Sequence, residues 1–489
     1  MWSNQQAMTS ELSRQAFVRG ALGVAASAVL GACGSTPSPD TPTTSSPVTP
    51  RWAELGDLVV LPADPTFATA KTVFDTRFAE SSPVAVVRPT STADVRRALT
   101  FAAHHALTVT ARSGGHSYVG ASTAAGTMVL DLRGLPADVA YDDGTGLVTV
   151  PAAADIASVQ TALSPRGRSI PTGSCPSVGV AGLTLGGGLG ADARRHGLTC
   201  DALRSATVVL PGGEVVTASA DDHPDLFWAL RGGGANCGVV TSFTFETFPT
   251  TDRDVVTLVF PEDAAAEVIA GWHGWLTTAD REVWSMVNLA VGPDSGRCSA
   301  VLATPPGAGP GLADDVTAAI GVASVSRNVR TLDHPAFVSY FSGGADAVRP
   351  RAFVAGTDVV AEMTPAAATA LVTATTAWPR ALAPATAVVE SLDGAIQDVA
   401  PDASAFPWRR HAASVQWYVE TPTPALVDAA DTWLTAAHGA LGEHSAGGYV
   451  NYLEPSTPAQ RYFAANTSRL RTVRQRYDPT GRMFSSPPW

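Results

Sequence analysis

Three glycine clusters punctuate the apolar runs of the first 250 residues: Gly114-Gly115, the stretch from Gly173 to Gly190, and Gly232-Gly233-Gly234 with Gly238. Helix interiors and strands do not carry glycine at that density. This region must therefore consist of short elements joined by turns whose main chain passes close to something bulky. Two of the turns also carry a nucleophile. His116 lies in Arg112-Ser113-Gly114-Gly115-His116-Ser117, and Cys175 lies in Gly173-Ser174-Cys175-Pro176-Ser177-Val178-Gly179-Val180-Ala181-Gly182. Two nucleophiles among small residues point to two side chains bonded to one flat or anionic cofactor. Taken singly, a buried turn histidine and a core thiol are the alternatives.

Neither common phosphate-binding motif is present. A Walker A loop needs a Lys after its glycines, and the single Lys of the chain is Lys71. The Rossmann Gly-x-Gly-x-x-Gly spacing fits poorly.

The segments around the turns read as a mixed α/β nucleotide-binding domain. Val84 to Pro89 predicts a strand, Thr92 to His105 a helix with Thr92 as N-cap, and Leu107 to Ala111 a strand entering the His116 turn. Met128–Leu132 and Leu147–Val150 predict further strands. Gly179, Gly182, Gly186, Gly187, Gly188 and Gly190 argue against a helix interior after Cys175. Ser242 to Phe248 alternates as a strand.

After Pro249 the glycine clusters thin out. Ala300 to Asp314 reads as a Pro- and Gly-rich loop, Pro365 to Trp378 as a helix, and Ser414 to Glu420 as an alternating strand. This predicts a second domain with an antiparallel sheet covered by helices. Tyr449-Val450-Asn451-Tyr452 as a strand would put Tyr449 and Asn451 on one face and Val450 and Tyr452 on the other. Asn466 to Tyr477 predicts an amphipathic helix, with Arg471, Arg474 and Arg476 on a solvated face.

The chain of 489 residues is long enough for two domains or more. A net charge of −12 argues against nucleic acid as a partner. Arg14 and Arg19 precede an apolar run from Ala21 to Leu30 that is too short to span a bilayer, so residues 1–33 predict an export signal. Leu30-Gly31-Ala32-Cys33 resembles a bacterial lipobox, which would make Cys33 a lipid anchor; an incidental Cys33 behind a Sec signal is the alternative. Ser13 to Arg19 resembles a twin-arginine signal, with Gln15 in place of the second Arg. Residues 34–50 are a Ser/Thr/Pro-rich tether. The expected location is outside the membrane, at the cell surface or extracellular. The five cysteines, Cys33, Cys175, Cys200, Cys237 and Cys298, have no zinc-like spacing, and no metal site is expected.

Four blocks together resemble the FAD-linked oxidases of the berberine bridge enzyme-like family, whose flavin domain is of the vanillyl-alcohol oxidase or PCMH type. They are the His116 block, the Cys175 block with Leu185-Gly186-Gly187-Gly188, Gly232 to Thr241, and the tail from Tyr449 to Phe484. The resemblance implies an α+β two-domain flavoprotein: a FAD-binding domain over 51–250, a substrate domain over 251–430, and a segment 431–489 returning to the FAD domain. It implies FAD bonded through His116 to the flavin 8α-methyl and through Cys175 to C6, with the first glycine turn holding the pyrophosphate by its N–H groups. The expected FAD contacts are Arg112, Ser113, Gly114, Gly115, Ser117, Gly173, Val178, Gly179, Gly182, Gly186, Asn236, Gly238, Val240 and Asn451. The family has an aromatic where Cys237 stands.

The implied reaction is hydride removal from a hydroxyl-bearing carbon of a sugar, oligosaccharide or secondary metabolite, with O2 reduced to H2O2. Val178 resembles the oxidases in this respect. A dehydrogenase with another acceptor and a non-catalytic surface binding protein are the alternatives. A tyrosine of lowered pKa would take the hydroxyl proton. Tyr452 is that base, with Tyr449 as the alternative, and Gln416 and Tyr418 orient the substrate. A monomer is expected.

Overall fold

The computed structural model describes residues 50–234, 237–293, 296–341 and 348–487. The export signal, Cys33, the tether up to residue 49, and Asn236 lie outside the described residues. Among the described residues no helix is long and apolar enough to cross a membrane.

Strands Ala85–Val87 and Val109–Arg112 both pair in parallel with Met128–Asp131 between them. Helix Thr92–His104 makes the crossover that parallel strands require. Its N-cap is Ser91, one residue before the expected Thr92: the Ser91 hydroxyl accepts from the Asp94 N–H at 3.1 Å. The far edge of this sheet is met by the C-terminus, where Phe484 N donates to Val109 O at 2.7 Å. A second, antiparallel sheet has the order Ala140–Asp142, Leu147–Pro151, Val239–Glu246, Leu203–Val209, Val215–Ser219. One apolar core joins both sheets, and Tyr462, Phe463, Leu470, Val473 and Met483 of the C-terminal segment belong to it.

The third sheet has eight antiparallel strands. Their order is Ser326–Leu332, Arg253–Phe260, Arg297–Thr304, Trp284–Val291, Ala385–Ser391, Ala413–Glu420, Phe353–Val360, Ser445–Gly447. Strand alternation sends Val287, Leu289, Val389, Val415 and Trp417 to one face. There they share a core with helices Ala265–Leu276, Gly309–Ile320, Pro365–Thr376 and Pro424–Leu441. The opposite face carries Met286, Asn288, Val388, Glu390, Gln416 and Tyr418, and it walls the cavity described below.

Two expectations are corrected. Ala300 to Asp314 is not a loop: it holds the end of strand Arg297–Thr304 and the start of helix Gly309–Ile320. Ala300 to Ala303 are buried between two neighbouring strands. Pro310 sits in the helix's first turn, where its missing N–H costs nothing. Secondly, Val180–Leu185 forms a short helix despite Gly182, because Val180, Ala181, Leu183 and Leu185 all bury into the first core. Tertiary burial outweighs the glycine's poor propensity.

Candidate active site

A cavity of about 570 Å³ lies between the glycine turns and the open face of the eight-stranded sheet. That volume is in the range of cofactor and ligand sites. His116 and Cys175 both line it, as do Ser113, Gly114, Gly115, Ser117, Gly173, Val178, Gly179, Gly182, Gly186, Gly238, Val240 and Asn451.

The two nucleophiles share a neighbour. Ser177 Oγ lies 3.0 Å from His116 Nε2 and 3.7 Å from Cys175 Sγ. The His116 ring stacks on Phe74, with centroids 4.0 Å apart and planes at 22°. Burial pushes His116 down to about 4, against a smaller opposing effect of a main-chain bond to Ser177. At neutral pH the imidazole is therefore uncharged, with a ring nitrogen lone pair available. Ser177 was not singled out from sequence; its place two residues after Cys175 was the available signal.

The glycines divide into two groups. A Cβ on Gly114 would lie 2.3 Å from the backbone N of Gly179, and a Cβ on Gly179 would strike the Ser113 hydroxyl. These two glycines let the nucleophile-bearing turns touch each other. Gly186 yields to a side chain, since its Cβ would fall on Asn451 Oδ1. Gly182 is different: a Cβ there would meet nothing within 4 Å, and the residue lines the cavity.

Among the described residues, the main-chain N–H groups of Gly114, Gly115, His116 and Ser117 donate to no protein acceptor. Among the described residues no Lys or Arg lines the cavity. Four unpaired N–H groups in a turn with Gly115 at φ 77° are available to an anion, the kind of donor set that anion-binding nests use. This arrangement fits a cofactor with a diphosphate. Arg112 is not part of it. Its side chain is fully buried beneath the turn, donating to Asp131 Oδ2 at 2.8 Å and to the carbonyl of Ala70. An unpaired guanidinium could not be buried there, so its contacts go to Asp131.

On the sheet side, polar groups converge. Gln416 Nε2 donates to the Tyr118 hydroxyl at 2.5 Å. Tyr118 stacks on Tyr452, centroids 5.5 Å apart and planes 10° apart. Tyr452 donates to Glu390 Oε2 at 3.4 Å, longer than an ordinary O–H···O bond, as uncomplexed proton-transfer pairs often are. Tyr418 lines the same wall and stacks on Phe353 at 5.3 Å. Glu390 and Tyr118 were not anticipated, since a lone Glu on a strand and a Tyr after a glycine turn carry no pattern of their own.

Tyr449 to Tyr452 departs from the expected strand. Val450–Tyr452 is a 3-10 turn, closed by Tyr452 N donating to Tyr449 O at 2.9 Å. Residues three apart then share a side, and the Tyr449 and Tyr452 rings meet edge to face at 5.0 Å. Their hydroxyls differ. That of Tyr449 accepts from Gly188 N at 2.8 Å, Leu189 N at 3.2 Å and Asn451 Nδ2 at 2.8 Å. It brackets the Gly188 loop, and Tyr449 also lines the cavity. Burial raises both tyrosines, and the Glu390 charge raises Tyr452 further, well above the usual tyrosine value of 10. The expectation of a lowered pKa at Tyr452 is corrected accordingly. Burial lifts Glu390 to about 7.

Comparison with known proteins agrees with this arrangement. The family described as "FAD binding domain" matches residues 83–219, and "Berberine and berberine like" matches 448–485. The chain is 27% identical to the uncharacterized FAD-linked oxidoreductase YgaK of Bacillus subtilis over 86% of this chain and 94% of that one. It is 29% identical to the xylooligosaccharide oxidase of Thermothelomyces thermophilus, covering 82% and 85%. The solved glucooligosaccharide oxidase of Acremonium strictum, described with a 6-S-cysteinyl, 8α-N1-histidyl FAD, superposes with a TM-score of 0.78 at 22% identity, covering 87% of this chain and 95% of that one. With both flavin-family segments matched and the PCMH-type fold shared, the chain carries the FAD-binding and berberine-like segments of the berberine bridge enzyme-like FAD-linked oxidoreductases, which it resembles.

Proposed function

We propose that the chain oxidises a CH–OH group of a sugar or oligosaccharide, so that donor and O2 give a carbonyl compound and H2O2. The names of the oligosaccharide oxidases among its relatives support a sugar donor. The observation that carries the reading is the pairing of Tyr452 with Glu390 across the cavity wall from His116 and Cys175.

In this reading the nest at Gly114–Ser117 holds the FAD diphosphate. His116 and Cys175 bond to its ring, with Ser177 engaging His116 Nε2 so that Nδ1 faces the bond to be formed. Bound FAD supplies the hydride acceptor. Tyr452 is too weak an acid to stand ionised at neutral pH. It therefore acts as a relay, taking the substrate hydroxyl proton while passing its own to Glu390. Gln416 and Tyr118 hold the Tyr452 ring and the substrate oxygen in place, and Tyr418 bounds the site. Residues 51–250 and 431–489 form the FAD-binding part and 251–430 the substrate part. An export signal with an anchor at Cys33 would place the enzyme outside the membrane.

Sugars and phenolic alcohols scanned for H2O2 release and flavin bleaching test the donor. Peptide mass spectrometry should find flavin on His116 and Cys175, and unmodified peptides from active yellow protein would reject the double attachment. Tyr452→Phe should retain the flavin spectrum and lose anaerobic flavin reduction. Wild-type reduction in that variant would remove Tyr452 as the proton acceptor. Slow reoxidation in air would point to a dehydrogenase.

A further inference from the structure

Behind the Tyr449–Tyr452 turn, outside the cavity lining, lies a chain of charged groups with no part in binding FAD or substrate. His438, on helix Pro424–Leu441, stands between two carboxylates: Nδ1 is 2.8 Å from Asp358 Oδ2, and Nε2 is 2.7 Å from Glu454 Oε2. Asp358 is fully buried and also accepts from Trp417 Nε1 at 2.8 Å, Ser445 Oγ at 2.5 Å and Arg461 Nη2 at 2.8 Å.

The cluster sits on the free edge of strand Phe353–Val360. Strand Ser445–Gly447 pairs only with Val359 and Val360. Beyond it, side chains take over the ladder. Glu454 Oε1 accepts from Thr357 N at 3.0 Å, and Arg461 Nη2 donates to Thr357 O at 2.7 Å. Gly356 leaves room for the Glu454 carboxylate, whose Cδ would lie 2.8 Å from a Cβ there. Thr357 Oγ1 in turn accepts from Tyr449 N at 3.3 Å. Glu454 follows Tyr452 by two residues, so the turn is tied to the sheet at both ends. Glu390 stands on that same sheet, and so does Gln416, directly opposite Thr357.

We propose that His438 is a positioning residue: as a doubly donating imidazolium it clamps Glu454 to Asp358 and so holds Tyr452 at its distance from Glu390. Buried ion pairs add little net stability, whereas misplacing a reacting group by an ångström is costly in rate. Only the charged ring donates from both nitrogens. Burial disfavours that charge, but the Asp358 and Glu454 carboxylates overcome this and raise His438 to about 9. The groups facing the ring are Asp358, Glu454 and Arg461, the last with Nη2 3.2 Å from Nδ1. For a histidine raised in the folded state, the clamp is complete below the unfolded value near 6.5. It is lost as the pH rises through about 9.

This rests on the Tyr452–Glu390 reading, and the test separates the two. Anaerobic flavin reduction at saturating substrate is measured from pH 6 to 10 in the holoenzyme and in His438→Gln, Glu454→Gln and Tyr452→Phe. Wild type should fall on the alkaline side near pH 9. His438→Gln should lose that limb and run between about tenfold and a hundredfold slower at neutral pH, with its flavin content unchanged. Should His438→Gln not fold, Glu454→Gln decides: with one carboxylate gone, the alkaline limb should move to lower pH. A wild-type rate and profile in His438→Gln, or an unmoved limb in Glu454→Gln, overturns the clamp even if Tyr452→Phe is inactive. An active Tyr452→Phe instead overturns the underlying reading.

Discussion

The Glu390 carboxylate and the Tyr452 hydroxyl lie 3.4 Å apart in the cavity wall, where Glu390 is the only acid among the described residues. Burial raises the carboxyl to about 7 from its usual 4.5. As a proton acceptor it works only when ionised, which on this account is above pH 7. The value of kcat/KM should therefore rise with pH through about 7 and hold until the alkaline fall expected near pH 9. Glu390→Gln should remove that acid limb and slow flavin reduction by about a hundredfold or more. The check is a pH profile of both proteins with the best sugar donor.

Ser177 offers a second test. Its contact with His116 Nε2 favours one ring tautomer. A hydrogen bond of this kind contributes about 1 kcal/mol, or roughly fivefold in tautomer population. Ser177→Ala should lower the share of flavin bonded through His116, seen as a larger fraction of unmodified His116 peptide by mass spectrometry. Ser177→Thr keeps the hydroxyl and should restore the attachment.

What the sequence made legible depended on how local its physical cause was. The His116 and Cys175 turns were readable because glycine beside a nucleophile is a local statement. Strand Ala413–Glu420 was readable from its alternation, which burial on one face enforces, and helix Pro365–Thr376 from its Ala-rich composition. Glu390 and Tyr118 were not, because only cross-strand register and the return of a distant turn bring them to Tyr452. Four residues of alternation at Tyr449–Tyr452 fit a strand as well as a turn, and the Tyr452 N to Tyr449 O bond decided between them. The burial of Arg112 against Asp131 was not legible for a similar reason: nothing within its own turn reveals that Asp131 lies beneath it.

Arg409 yields a prediction about stability. Its side chain is fully buried, with Nη1 and Nη2 each 2.7 Å from an oxygen of Asp201. Nη2 also donates to Ser404 Oγ at 2.9 Å. Arg409→Met would leave Asp201 as an uncompensated charge at a cost of about 3–5 kcal/mol. The double variant Arg409→Met with Asp201→Leu should recover much of that loss. Chemical denaturation of the holoproteins measures both, and a single variant as stable as wild type would contradict the account.

Gly114 joins the two nucleophile-bearing turns, and its replacement should affect cofactor binding more than folding. A Cβ at that position would lie 2.3 Å from Gly179 N and 2.8 Å from Ser177 O, both main-chain atoms that cannot rotate away. The turns must separate for Gly114→Ala to fit. Overpacking of this kind costs about 1–3 kcal/mol, which the large first core can absorb. The displacement falls on Ser177 and on the turn of N–H groups before Ser117, so it alters the His116–Ser177 contact and the nest together. Gly114→Ala should thus fold, keep its far-UV circular dichroism, and carry less flavin per chain than wild type. Gly182→Ala is the control for space alone. Its Cβ meets no protein atom and enters the cavity, so it should lower flavin content without lowering the melting temperature of the flavin-free protein, which Gly114→Ala should lower.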